Sequence, residues 1–220
     1  MAAASSVFPL ASPAMLRARD VSLSELLDAA TLNDDALARN LADIRHINAA
    51  LGWTAFTVRS VAQYVREQGL RSLSLLDVAS GSADMPLAVA RWALRAGVDA
   101  HITVTDISPQ IVTVARSQIN RAGMPGVTAE RQDALALPYA AGSFDIALCT
   151  LALHHFEPAA AVELLRDLGR VGRRVFVFDV ERSWLAYLGA VALTHAGLMN
   201  YMTRHDAPVS VRRAYRAPEL

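Results

Sequence analysis

Apolar and polar positions change their period near Gly69. Before it, apolar residues recur at helical spacing; after it, short apolar runs alternate with helical stretches. Residues 23–30 read as a short helix, with Ser22-Leu23-Ser24-Glu25 ahead of it at capping-box spacing. A longer helix follows Asn33 or Asp34, striped by Leu37, Leu41, Ile44, Ile47 and Leu51 and stopped by Gly52. A third, over residues 54–68, turns Phe56, Val58, Val61 and Val65 inward. These make an N-terminal helical cap over residues 21–70, behind a flexible tail over residues 1–20.

Residues 73–78 are a short apolar run, as in a parallel strand buried on both faces. A helix over 84–96 closes at Gly97, and β-branched residues mark a strand over 101–106. Ser108-Pro109 opens a helix to about residue 122. Strands are expected over 127–131, 144–150 and 174–180, with a helix over 158–169 before the last. Strand–helix alternation implies an α/β domain over 71–220, a doubly wound, mostly parallel sheet of Rossmann-like form.

The uncharged run over residues 183–203 is long enough to span a membrane. It contains His195, Asn200, Thr194, Gly189 and Gly197 and follows a strand, which favours a helix packed on the sheet or covering a substrate. No integral membrane span is therefore expected. With 21 basic and 21 acidic residues, no global field points to nucleic acid. Every basic residue is arginine. The single cysteine, Cys149, excludes an internal disulfide and fits the cytoplasm, and the uncharged N-terminus lacks a secretory start.

The chemistry concentrates in Leu75–Asp84, where apolar residues lead into Asp77 and small residues follow as far as Asp84. A strand ending in such a turn before a helix is where α/β proteins hold nucleotide-like cofactors. A dinucleotide fingerprint wants G-x-G-x-x-G, but Ala79, Gly81 and Asp84 stand at those places. A pyrophosphate would be repelled by Asp84. S-adenosylmethionine carries no phosphate, and carboxylates suit its ammonium. Asp106, ending the second strand, can accept from ribose hydroxyls in either cofactor class. Asp133, after the third, is a further acceptor.

Together Leu75–Asp84, Thr105-Asp106-Ile107-Ser108, Gln132-Asp133-Ala134 and Gly142-Ser143-Phe144-Asp145-Ile146 leading to Leu153-His154-His155-Phe156 resemble class I S-adenosylmethionine-dependent methyltransferases. The resemblance covers residues 73–180. It implies S-adenosyl-L-methionine as cofactor, with the turn from Asp77 through Ala79 and Gly81 to Asp84 around its methionine half. It implies Asp106, with Ile107 next in the motif, on the ribose, Asp133 with Ala134 at the adenine, and Thr150 beside cofactor and substrate. Arg45-His46-Ile47-Asn48 and His205-Asp206-Ala207-Pro208 through Val211-Arg212-Arg213-Ala214 make it similar to quinone-biosynthesis C-methyltransferases and polyketide-associated methyltransferases. The implied acceptor is a small hydrophobic molecule, and a homodimer is one assembly the sequence leaves open. A catalytically silent cofactor-binding domain and an NAD-dependent oxidoreductase are the rival readings.

Two departures from the family stand out. Alanines at 79 and 83 replace usual glycines, and the terminal antiparallel hairpin after the fifth strand is missing. His154 and His155 fall at the substrate rim, and His155 is the preferred candidate for a general base. No metal is expected, because adjacent histidines without a neighbouring third ligand make a poor site. His195 reads as a core histidine. Trp184, Tyr187, Leu188, Met199 and Met202 read as a packing stripe or an apolar substrate wall.

Overall fold

The computed structural model describes residues 13–195 and 199–220. Five strands form one parallel sheet in the order β3-β2-β1-β4-β5: β1 Ser72–Val78, β2 Asp99–Asp106, β3 Val127–Arg131, β4 Phe144–Thr150 and β5 Gly172–Phe178. Helices α3 Asp84–Ala96, α4 Pro109–Ala122 and α5 Pro158–Val171 connect them. Before the sheet lie α1 Asp34–Ala50 and α2 Trp53–Glu67; after it lie α6 Trp184–His195 and α7 Tyr201–Arg213. Among the described residues no antiparallel strand follows β5.

The central strand explains the two-sided core. Leu73 and Leu75 face one layer with Val61 and Val65 of α2, Leu87 of α3 and Ile119 of α4. Leu76 and Val78 face the other, with Leu164 and Leu168 of α5. Side chains alternate faces along a strand, so a strand covered on both sides is apolar at most positions. The helix starts obey their capping chemistry. Asn33 accepts from the Ala36 N–H at 3.0 Å, and Ser108 accepts from that of Ile111.

Several expectations change. Residues 23–30 hold only a single turn, Leu26–Asp28. Glu25 is directed to the histidines after β4, so it cannot complete a capping box, and Asp206 accepts instead from the N–H groups of Leu26 (2.7 Å) and Leu27 (3.1 Å). Phe56 and Leu51 are exposed rather than inward; Phe56 lays its ring edge-on to Phe178, 4.9 Å away. β5 begins and ends two residues earlier than expected, and Gly172 stands inside the sheet. A Cβ there would lie 2.6 Å from that of Ala147. The uncharged run after Ser183 is not one helix, and among the described residues no helix is long and apolar enough to cross a membrane.

Residues 1–12 of the expected tail lie outside the described residues. Leu16 is buried, and Arg19 donates to the carbonyls of His154 (2.9 Å), Phe156 (2.8 Å) and Arg213 (2.7 Å). Arg182, fully buried, donates to those of Leu16 and Ala214, and Arg213 to those of Leu23 and His155. Forked guanidinium donors thus lace both ends of the chain to the loops at the C-terminal edge of the sheet.

Candidate active site

A cavity of about 470 Å³ opens above the C-terminal ends of β1, β2 and β4, where open α/β sheets bind ligands. Its floor is the turn after β1. Ala79, Gly81 and Ala83 take positive φ (52°, 56° and 64°), so the chain coils tightly into α3. The departure from glycine read in the sequence therefore falls on left-handed positions, where an L side chain costs about 1–2 kcal/mol. Space around Gly81 would admit a Cβ, with only Leu41 at 3.9 Å, so glycine is called for by its φ alone.

Three carboxylates line this floor. Asp77 is buried; the Ser80 hydroxyl donates to one oxygen, and the other has no partner. Burial first, then Asp84 and Asp106 nearby, push its carboxyl up to about 8. Asp84 accepts from the Asn48 amide at 2.9 Å, and Asp106 from the N–H groups of Gly81 (3.2 Å) and Ser108 (3.0 Å). Burial raises both above the usual carboxylate range despite these bonds. Ser82 Oγ and Thr150 Oγ1 are buried, partnerless and on the cavity wall.

Ala79, Ile107, Thr150 and His155 also line the cavity. Asp133 and Ala134 do not. Asp133 is exposed and accepts from the Leu135 N–H at 2.9 Å, and Ala134 packs in the core beside α5. The cap contributes Leu27, Asp28, Leu41, Ile44 and Asn48, whereas none of the described residues of 183–203 reaches the wall. Trp184 and Tyr187 stack on one another, and Tyr187 packs with Leu16 and Val211 instead.

Beyond β4 the chain turns at Leu151, held at φ 56° with its N–H on the Phe178 carbonyl at 2.7 Å. His154 is buried between Asp179 and Glu25. Burial alone would lower its pKa, but the two carboxylates outweigh that and hold it up to about 10. So paired, it keeps its proton at neutral pH and does not fit the general-base role expected of it. His155 reaches the cavity with Nδ1 2.9 Å from Asp28. Sequence reading missed Glu25, Asp28, Asn48 and Leu151. Asn48 lay within a motif already singled out, while the acidic pair lay where only a short helix was expected.

Residues 75–174 match the profile of a methyltransferase domain. A ubiquinone biosynthesis O-methyltransferase of Aromatoleum aromaticum is 32% identical over 130 residues, covering 57% of this chain and 52% of that protein. A ubiquinone/menaquinone biosynthesis C-methyltransferase of Neisseria gonorrhoeae is 24% identical over 190 residues, covering 79% and 73%. Over residues 75–174 the chain matches a methyltransferase domain, similar to those of class I S-adenosylmethionine-dependent enzymes. It spans about half the length of the first curated relatives it matches. Two solved methyltransferases share this domain's fold. That of Aquifex aeolicus has a TM-score of 0.50 at 16% identity, covering 70% of this chain and 76% of its own. Magnesium protoporphyrin IX methyltransferase from Synechocystis with bound SAM has a TM-score of 0.50 at 19% identity, covering 68% and 77%.

Proposed function

We propose that the chain transfers a methyl group from S-adenosylmethionine to a small hydrophobic acceptor of quinol, phenol or polyketide type. The supporting observation is the acidic, desolvated floor of the cavity, where Asp77, Asp84 and Asp106 are all raised by burial. A cationic ligand relieves that penalty, and a diphosphate bridge would add to it. The partnerless oxygens of Asp77, Ser82 and Thr150 fit a polar ligand as well, since buried polar groups left unmade are costly.

Asp77 and Asp84 would hold the ammonium, Asp106 the ribose hydroxyls, and the backbone N–H groups of the turn the carboxylate. When bound, the cofactor supplies an electrophilic methyl on its sulfonium. What remains for the chain is alignment and exclusion of water, an effect of proximity and orientation. Leu27, Leu41, Ile44, Met85, Ile111 and Phe156 give an apolar wall for the acceptor. Relatives named for quinone biosynthesis support that acceptor class. Nε2 of His155 is the candidate atom to receive an acceptor's hydroxyl proton. The lone buried Cys149 suits a cytoplasmic site of action.

Isothermal titration with S-adenosylhomocysteine is the first test. Binding with a thermal shift is expected, and so is methylation of a quinol acceptor when S-adenosylmethionine replaces S-adenosylhomocysteine. Absence of both heat and shift overturns the reading.

A further inference from the structure

Beside the cavity, the N-terminal segment meets the two histidines that follow β4. Nε2 of His154 lies 3.3 Å from Oε1 of Glu25, and Nε2 of His155 lies 3.8 Å from Oε2. One donor atom from each of the three residues falls within 4.8 Å of the others. Each imidazole turns its remaining nitrogen to a further carboxylate. His154 Nδ1 is 2.8 Å from Asp179, and His155 Nδ1 is 2.9 Å from Asp28. Carboxylates placed so hold a proton on Nδ1 of each ring, as around metal-ligating histidines; an ion between the rings and Glu25 would displace the proton that His154 otherwise carries on Nε2 and take the Nε2 lone pairs.

We propose that Glu25, His154 and His155 bind one divalent transition-metal ion of the zinc class, with Asp179 and Asp28 orienting the two imidazoles. Four-coordinate zinc with bonds of about 2.0–2.1 Å sets its donors roughly 3.3 Å apart, close to the spacing of Glu25 and His154. Charge agrees. Glu25, Asp28 and Asp179 are answered by one guanidinium, that of Arg213 on Asp28 at 3.2 Å. With neutral imidazoles the group is therefore short of two positive charges (three carboxylates less one guanidinium). Neighbouring Asp206 is already engaged by the N–H groups of Leu26 and Leu27 and by His205. Two imidazoles and a carboxylate suit zinc and disfavour magnesium, which takes oxygen donors.

The expectation of no metal rested on the lack of a third ligand near the histidine pair, and the fold supplies it from the far end of the chain. Such an ion would clamp the N-terminal segment to the loop after β4 at the cavity's edge. It would also occupy the same Nε2 of His155 that a proton would need, so the two roles exclude one another. The metal site stands apart from the methyl-transfer reading, since neither depends on the other.

Chelator-stripped full-length chain, dialysed against micromolar zinc chloride and assayed by atomic emission, should take up one ion per chain. Cobalt in its place should give visible d–d absorption. Glu25→Gln and His155→Asn should each weaken zinc binding roughly tenfold or more. His155 is partly exposed, so its variant keeps the test alive if the buried Glu25 variant misfolds, with circular dichroism as the check. Zinc uptake well below one per chain, or equal uptake in both folded variants, overturns the proposal. Titration of the same samples with S-adenosylhomocysteine separates the two readings. Zinc without cofactor heat defeats only methyl transfer, and heat without zinc defeats only the metal site.

Discussion

The alanines of the turn after β1 allow a quantitative test of the backbone reading. Replacing Ala79 with glycine removes left-handed strain of about 1–2 kcal/mol. Against this, glycine costs about 0.5–1 kcal/mol more chain entropy on folding. Ala79 is half-buried, so losing its methyl takes back about 0.4 kcal/mol, half the value of a fully buried methylene. At the centre of these ranges the balance is a gain of about 0.4 kcal/mol. Ala83 also has positive φ, but it is fully buried against the sheet. Its methyl is worth about 0.8 kcal/mol, so Ala83→Gly should come out near neutral. Ala38 is exposed within α1 and helical, so Ala38→Gly should lose about 1 kcal/mol. Urea unfolding should rank the three by midpoint as Ala79→Gly, then Ala83→Gly, then Ala38→Gly, at equal m-values. The swing between the first and last is about 1.4 kcal/mol, or roughly 3–5 °C in Tm for a chain of this size. If Ala79→Gly loses as much as Ala38→Gly, the turn is not left-handed at that position and the account of the cavity floor fails.

The remaining predictions concern the carboxylates and the sheet. Asp77, ordinarily titrating near 3.8, is pushed up to about 8 in the folded chain. Its stabilising contribution is therefore complete below the ordinary value and lost as pH rises through 8. Thermal melts from pH 6 to 9 should show falling stability, and Asp77→Asn should flatten that slope; an unchanged slope removes Asp77 as its source. Asp106→Asn should weaken S-adenosylhomocysteine binding by roughly 10- to 100-fold, the worth of a charge-assisted hydrogen bond, and equal affinity by calorimetry would take Asp106 out of the site. Asp133→Ala should change that affinity less than about threefold, as suits an exposed residue off the cavity wall, and a large loss would restore the adenine role implied by the family resemblance. Gly172→Ala should cost about 1–3 kcal/mol or more by overpacking against Ala147, and an undisturbed melt would contradict the close approach of β4 and β5.

These outcomes also mark what could be read before any coordinates. The strands and the turn after β1 were legible because burial on both faces leaves a mostly apolar or β-branched run, and a turn that must approach a ligand leaves small residues. The start of β5 at Gly172 was not legible, since glycine is depleted in strands and a close approach to Ala147 leaves no local signal. Asp106 and Asp133 both follow strands, yet only the first is drawn over the cavity, by the N–H groups of Gly81 and Ser108. No local pattern separates the two. Glu25 was read as a helix cap because a capping box is a matter of spacing. Its actual partners lie more than half the chain away, and a pairing of that kind leaves no periodic trace.

The arginine lacing at the open end of the sheet bears on how a ligand gets in. Arg19, Arg182 and Arg213 fasten loop carbonyls that would otherwise need the ligand itself to keep them apart. A vestibule propped open in this way is ready before anything arrives. Entry should then be governed by encounter and dehydration at the mouth, and little entropy should be surrendered by the polypeptide when the guest settles.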